Sequence, residues 1–390
     1  MTDKFLMKYD ELATMMVDQI PEKQFKSKTS TFFDPSMGRG QIIAKIEQKL
    51  KDYGHSISNI SKRVYGYEVG KFEMIVAVKD KGLVGNYEYG DNVFEVEKKF
   101  DNVITNPPYD GTIQLHQQFA NMAIETWCKP NGNVVCIAPA TPYLNQKVSD
   151  SQKKKRKHEA KMIENVLKYK TNVQIVDPSI FQGAEVANDL AITHVNKVDN
   201  TSNKLNSIIY KDGSEYKNVD VADVSMTGID PDVFSKIKNK YETYVNKHGS
   251  LEDVIYLKDK VPASKLAGIP KIRGHMGNID FYTYMPVNVK DSEYYTTNIS
   301  QKHDFGVKVQ NNKQLPNVYS YLTTYVARFG LALTKISLTH HRKESRRVPL
   351  VDFNKKWTDE VLMKELGLTQ KEMKLMIKVV GDYHGKYYAG

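Results

Sequence analysis

Apolar positions in the first half of the chain follow two alternating spacings. Runs of adjacent apolar, β-branched or aromatic residues predict buried strands, whereas apolar residues three and four positions apart predict amphipathic helices. The predicted strands lie at 30–40 (running into a glycine turn), 63–69, 87–92, 101–109, 132–144, 172–181 and 188–197, and the predicted helices at 41–54, 71–82, 113–130 and 154–170. Strands that alternate with helices indicate an α/β fold with a doubly wound, mostly parallel sheet covered on both faces.

This alternation ends near residue 205. The segment 205–221 is typical of a β-hairpin, with Asp212-Gly213 at its turn. The segment 222–315 is irregular and rich in tyrosine, and helical patterns return at 317–335 and 358–380. We therefore expect two domains, residues 1–205 and a C-terminal α+β domain at 206–390.

Composition narrows the class of protein. The chain has 390 residues and a formal net charge of +10, which suits either a solvated basic surface or a polyanionic partner. Two cysteines predict a reducing, cytoplasmic environment without a disulfide framework or a zinc cluster. The N-terminal segment does not resemble a signal peptide, and no apolar run is long enough to cross a membrane.

Three acidic residues follow three successive predicted strands. Asp34 opens a turn with Pro35, Gly38 and Gly40 before a helix, an arrangement that brings backbone close to a ligand. The turn lacks the third glycine of a dinucleotide fingerprint and the Gly-Lys-Ser/Thr of a phosphate loop, so a positively charged ligand group fits better beside Asp34. A carboxylate in the place of Glu68 can accept hydrogen bonds from ribose hydroxyls. Asp91, at the end of the third strand, could accept one from an adenine amino group.

The fourth strand stops abruptly at Asn106-Pro107-Pro108-Tyr109. Two consecutive prolines cannot donate to a ladder and fix the backbone, so this strand runs into a rigid turn that carries an amide and an aromatic ring.

In order and spacing, residues 34–40, Glu68, Asp91 and residues 106–109 resemble the S-adenosylmethionine-dependent amino methyltransferases. The pattern is most similar to N6-adenine DNA methyltransferases of restriction–modification systems with the gamma-type motif order, including solitary phage enzymes. The resemblance implies a seven-stranded sheet, a catalytic domain that binds S-adenosylmethionine at 1–205, and a target-recognition domain at 206–390. It also implies double-stranded DNA as partner and a location in the cytoplasm, that of the host if the protein is phage-encoded. It allows a cognate restriction endonuclease as a further partner, calls for no metal, and leaves the oligomeric state open.

The resemblance also assigns residues to roles. The catalytic turn is Asn106, Pro107, Pro108 and Tyr109, and the cofactor residues are Asp34, Pro35, Ser36, Gly38, Gly40, Glu68, Asp91 and Asn106. Tyr109 and Phe181 would stack on a flipped-out base, although Phe181 fits core packing equally well. The segment 8–16, with Tyr9 and Leu12, would close over the methionine moiety, and it fits a plain amphipathic helix equally well. The residues expected to hold DNA are Lys154, Lys155, Arg156, His341, Arg342 and Arg346, although the basic run 153–161 fits a solvated helix face equally well.

Other activities use the same constellation. Cytosine N4, RNA guanine N2 and protein glutamine are alternative amine acceptors, and a catalytically inactive DNA-specificity subunit is a further alternative. Cytosine C5 methylation needs a nucleophilic cysteine after proline, whereas Cys128 and Cys136 lie in contexts typical of packing.

Overall fold

The computed structural model describes residues 3–108, 115–144, 157–176, 189–225, 228–257, 271–273, 283–284, 305–307, 312–334, 342–381 and 386–388. The chain divides into two compact units, Met1–Val224 and Ser225–Gly390. Within the described residues, no helix is long and apolar enough to cross a membrane.

The first unit is built on one sheet with strand order β3-β2-β1-β4-β5-β7-β6-β8-β9. The strands are β1 (Phe32–Asp34), β2 (Val64–Glu68), β3 (Asn86–Tyr89), β4 (Phe100–Thr105), β5 (Cys128–Pro139), β6 (Tyr169–Val176), β7 (Leu190–Asp199), β8 (Leu205–Ile209) and β9 (Glu215–Val219). Neighbours from β3 to β5 pair in parallel, as do β6 and β8, whereas β7 is antiparallel to both β5 and β6 and β9 is antiparallel to β8.

Helices cover both faces of this sheet. They are α1 (Asp3–Asp18), α2 (Glu22–Lys26), α3 (Gln41–Asp52), α4 (Ile57–Ile60), α5 (Lys71–Lys81), α6 (Leu115–Met122), α7 (Thr141–Leu144) and α8 (Lys157–Lys168). In β5, Val135 and Ile137 join the core formed with α1 and α3, and Val134 and Cys136 join the core formed with α6 and α8. Alternate residues of a strand point to opposite faces, so both faces are buried, as expected for a doubly wound sheet.

In the part of the chain that the structure describes, the first sheet has nine strands, whereas seven were predicted. The predicted hairpin forms, with Gly213 at a φ of 82°, but it extends the first sheet instead of opening the second domain. Its first strand pairs in parallel with β6, from Asn172↔Ser207 to Gln174↔Ile209. The first unit therefore ends at Val224, later than the expected boundary at 205. Its last strand exposes Glu215, Lys217 and Asn218.

One predicted helix also ends earlier than expected. Helix α6 passes into a single π-helical turn, Ala123–Trp127, and Cys128 then begins β5 opposite Phe100. Pro130 was expected to end the helix but lies within β5, at the point where the register with β4 shifts. Both cysteines are buried, and burial raises the pKa of each thiol to about 12, in keeping with packing residues.

The second unit combines helices with a small sheet, in strand order β10-β13-β12-β11-β14. Its described elements are α9 (Pro231–His248), β10 (Ile255–Leu257), β11 (Lys271–Arg273), β12 (Thr283–Tyr284), β13 (Phe305–Val307), α10 (Leu315–Leu322), α11 (Tyr325–Ala332), α12 (Asp359–Leu366), α13 (Gln370–Val380) and β14 (Lys386–Tyr388). Each C-terminal helical pattern contains two helices, because Thr324 and Thr369 cap new N-termini within them. The fully buried Arg328 donates to the carbonyls of Val380 and Gly381, at the end of α13.

Candidate active site

The carboxyl ends of four neighbouring parallel strands bring the acidic residues and Asn106 to one edge of the sheet. Asp34 is the last residue of β1, Glu68 is the last of β2, and Asn106 directly follows β4. Asp91 lies two residues beyond the end of β3. Parallel strands end at the same side of a sheet, and open α/β sheets bind ligands at this side.

The turn after β1 is held by backbone hydrogen bonds and ends at a glycine, Gly40. Met37 N–H donates to the Tyr67 carbonyl (3.0 Å), and Gly40 N–H donates to the Met37 carbonyl (2.7 Å). Gly40 has a φ of 72°, and a Cβ there would lie 2.9 Å from Leu83 Cδ1. Gly40 is also the N-cap of α3, so the turn leads directly into this helix.

Glu68 joins this turn to the end of β2. Its Oε2 accepts a hydrogen bond from Gly38 N–H (2.6 Å), and its Oε1 accepts from Val69 N–H (3.0 Å) and Gly70 N–H (3.1 Å). A carboxylate oxygen has two lone-pair sites, so Oε1 is filled by its two donors and Oε2 keeps one site that can accept from a ligand hydroxyl. Val69 and Phe72, which follow Glu68 in the sequence and were not among the predicted site residues, are exposed apolar residues, 63% and 75% accessible.

Asp34 is buried, with 1% of its surface accessible. Burial raises the pKa of its carboxyl to about 8; Ser36 N–H, 3.0 Å from Oδ1, opposes this shift, and the charge of Glu68 adds to it. Asp34 is therefore largely protonated at neutral pH, and a cationic group placed beside it would favour its ionised form.

The turn after β4 contacts the turn after β1 through one hydroxyl. Ser36 Oγ lies 2.8 Å from Thr105 Oγ1 and donates to the Asn106 carbonyl (3.1 Å). Thr105 is fully buried, Asn106 is half-buried, Pro107 is buried and Pro108 is exposed. Thr105 was not among the residues predicted from the sequence; its signal there is a hydroxyl at the last strand position before Asn106 and the two prolines.

The chain after β3 stays close to the end of β2. Gly90 N–H donates to the Glu68 carbonyl (3.2 Å), and a Cβ at Gly90 would lie 2.2 Å from the Tyr67 hydroxyl. Asp91 follows directly and is exposed, and Asn92 caps the short 3-10 helix Val93–Glu95.

Of the other predicted site residues, some lie outside the described residues and some lie within them. Tyr109, Phe181, Lys154, Lys155, Arg156 and His341 lie outside the described residues. Arg342 begins the 3-10 helix Arg342–Arg347, Arg346 is partly buried, and the adjacent Arg347 binds Glu242 and the Leu333 carbonyl. Tyr9 lies in α1, and Leu12 is 2% exposed and packs in the core.

Comparisons with known proteins give distant structural similarities. Neither family models nor curated protein sequences match this chain. The methyltransferase protein of the type I restriction enzyme EcoKI is similar at 14% identity and a TM-score of 0.37, over 50% of this chain and 46% of its own. A modification subunit of a putative type I restriction enzyme from Vibrio vulnificus is 12% identical, with a TM-score of 0.39 over 52% and 45%.

A putative class I S-adenosylmethionine-dependent methyltransferase from Listeria monocytogenes is similar at 14% identity and a TM-score of 0.39, over 60% of this chain and 69% of its own. The chain thus spans less than half the length of the two restriction-system proteins. Similarities this distant do not define an activity.

Proposed function

We propose that this protein is an S-adenosylmethionine-dependent methyltransferase that modifies the N6 amine of a flipped-out adenine in double-stranded DNA. The observation that carries the proposal is the junction of three strand ends. The turn 34–40 is hydrogen-bonded to Glu68 on one side and to Asn106 on the other. One ligand at this edge can therefore contact the acidic residues and the Asn-Pro-Pro turn together.

The acidic residues fit the polar groups of the cofactor. Glu68 Oε2 keeps one lone pair for a ribose hydroxyl, and Asp91 can accept from the adenine amino group. Asp34, with Pro35, Ser36, Gly38 and Gly40, lies where the cationic methionine end would sit, and the buried carboxylate would be stabilised by that charge. Exposed Val69 next to Glu68 offers an apolar contact for a flat ring.

When bound, S-adenosylmethionine supplies an electrophilic methyl group on a sulfonium. The role of Asn106 is to accept one hydrogen bond from the target amine on its Oδ1, while the Pro107 carbonyl accepts a second. Two acceptors in this arrangement localise the nitrogen lone pair, which is otherwise delocalised into the base. The two prolines keep these acceptors in place before the substrate arrives, which is electrostatic preorganisation.

The target base must leave the duplex to reach Asn106, at a cost of a few kcal/mol. Stacking on the rings of Tyr109 and Phe181 would recover about 1–3 kcal/mol per ring. In this proposal the second unit recognises the target, and the net charge of +10 favours a polyanionic partner. Lys154, Lys155, Arg156, His341, Arg342 and Arg346 are the proposed DNA contacts. The protein would act in the cytoplasm, with or without a cognate endonuclease.

The decisive experiment identifies the methylated nucleoside. The purified protein is incubated with S-adenosylmethionine carrying a labelled methyl group and with duplex DNA of mixed sequence, and the digested nucleosides are separated by mass. We expect label in N6-methyladenine with the wild type and none with Asn106→Ala. Label in N4-methylcytosine would identify the alternative DNA amine. Parallel incubations with RNA and with protein test the other two, and label in RNA guanine or protein glutamine would identify them. Cofactor binding without transfer to any of these would favour a binding subunit.

A further inference from the structure

The hydroxyl of Ser36 is the link between the turn after β1 and the turn after β4. It lies 2.8 Å from Thr105 Oγ1 and donates to the Asn106 carbonyl at 3.1 Å. Thr105 has no accessible surface, and Ser36 is half-buried. This polar contact is thus largely shielded from water, which strengthens its hydrogen bonds.

The number of hydroxyl protons fixes the direction of the hydrogen bonds that link Thr105, Ser36 and Asn106. A serine hydroxyl has one proton, and Ser36 gives it to the Asn106 carbonyl. The hydrogen bond between the two hydroxyls must then be donated by Thr105 and accepted by Ser36 Oγ. Thr105 therefore donates to Ser36, and Ser36 donates to the Asn106 carbonyl, so that each hydrogen bond polarises the next.

The acceptor at the end of the chain belongs to the peptide between Asn106 and Pro107. This peptide has no N–H, so its carbonyl is its one hydrogen-bonding group. Fixing that carbonyl fixes the peptide plane, and with it the backbone position from which Asn106 and Pro107 present their acceptor oxygens.

The backbone N–H of Ser36 contacts the acidic residues of the site. Its N–H donates to Asp34 Oδ1 (3.0 Å), and the next two residues donate to the end of β2, at the Tyr67 carbonyl and at Glu68. A ligand held by Asp34 and Glu68 therefore acts on the same short turn that carries the Ser36 hydroxyl.

We propose that Ser36 and Thr105 are positioning residues, which orient the Asn106–Pro107 peptide for methyl transfer and tie this orientation to occupancy of the cofactor turn. This role rests on the proposed methyltransferase function and assigns Ser36 to the transfer step more than to cofactor affinity. Neither residue contacts the reacting atoms in this role.

The test separates binding from transfer in four variants. Ser36→Ala and Thr105→Val each remove one link, Thr105→Ser keeps the hydroxyl, and Ser207→Ala is a matched control. Ser207 is a buried serine that donates to Asn172 Oδ1 (3.0 Å) in the strand pair β6–β8. Calorimetry gives the Kd of S-adenosylmethionine, and transfer to duplex DNA gives kcat and KM.

Ser36→Ala and Thr105→Val are each expected to lower kcat about tenfold, because each removes one buried hydrogen bond that acts in the transition state. The Kd of the cofactor should change by less than about threefold in both. Thr105→Ser should restore most of kcat, and Ser207→Ala should leave kcat and Kd at wild-type values. If Ser36→Ala does not fold, the isosteric Thr105→Val and its serine counterpart carry the test.

Two results would overturn the assignment while the methyltransferase proposal stands: wild-type kcat in both link variants, or a loss of cofactor affinity as large as the loss of kcat. Equal defects in Thr105→Ser and Thr105→Val would reduce Thr105 to a packing residue and also overturn it. A wild-type protein that neither binds S-adenosylmethionine nor transfers methyl groups would instead refute the function, and this role with it.

Discussion

Replacing Asp34 by asparagine should stabilise the ligand-free first unit, and by more as the pH rises. The carboxyl is buried, and its pKa is raised from 3.8 to about 8, first by burial and then by the charge of Glu68. The asparagine has nearly the same shape, and its side-chain oxygen can still accept from Ser36 N–H. It does not titrate, so the difference between the two proteins isolates the ionisation of Asp34.

The size and sign of the effect follow from the two pKa values. Between pH 3.8 and about 8 the folded state keeps a proton that the unfolded state releases, so rising pH favours unfolding across this window. The wild-type protein should lose about 1.4 kcal/mol per pH unit relative to the variant. From pH 5 to pH 7 the free energy of unfolding of Asp34→Asn should therefore gain about 3 kcal/mol over the wild type.

The chain offers a clean probe for this measurement, because it has two tryptophans and each lies in a different unit. In a Trp357→Phe background the fluorescence of the fully buried Trp127 follows urea unfolding of the first unit alone. Asp101→Asn is the control, because the pKa of Asp101 shifts in the opposite direction. Burial raises this pKa, but hydrogen bonds from Thr31 and Lys129 outweigh burial and lower it. Asp101 therefore stabilises the fold above its unfolded pKa, and this stability falls as the carboxyl is protonated.

A difference between Asp34→Asn and the wild type that stays constant from pH 5 to pH 7 would refute the reasoning. It would mean that Asp34 is solvated or paired in solution. A difference that shrinks with rising pH would mean that its pKa is lowered.

Three further changes test the site. Asn106→Ala should abolish methyl transfer, because one proton acceptor is lost, while calorimetry should find nearly unchanged cofactor affinity; equal transfer rates would remove Asn106 from the mechanism. Gly40→Ala should cost about 1–2 kcal/mol for its left-handed backbone, and more for the approach to Leu83, whereas Gly82→Ala, also left-handed but with open space around its Cβ, should cost the backbone strain alone in thermal unfolding. Tyr109→Ala should raise KM for duplex DNA more than the Kd of the cofactor, and unchanged kinetics would contradict stacking.

Local patterns were sufficient to predict the elements that form the site. The apolar spacing of Ile42, Ile43, Ile46 and Leu50 predicts α3, and all four are buried. The two prolines after Asn106 predict the end of β4, which occurs at Thr105. Both features depend on neighbouring residues, so a single sequence contains them.

Features that depend on distant partners were not predictable. Residues 205–219 form the expected hairpin, but nothing in their alternation tells that β8 pairs with β6. Likewise, Cys128 follows a helical pattern and becomes a strand residue because Phe100 of β4 lies opposite. The burial of Asp34, which sets its pKa, arises from helices and strands brought together by the fold.

Strands β8 and β9, which extend the first sheet beyond β6, also form one of its edges. A bare edge offers unpaired backbone groups to any other chain, and charged side chains discourage such pairing. With β9 in place, the outermost strand presents Glu215 and Lys217, and Asn218 with a φ of 54° distorts its backbone. Truncation before residue 205 would leave the longer, more apolar β6 uncovered, and self-association between molecules would then compete with folding.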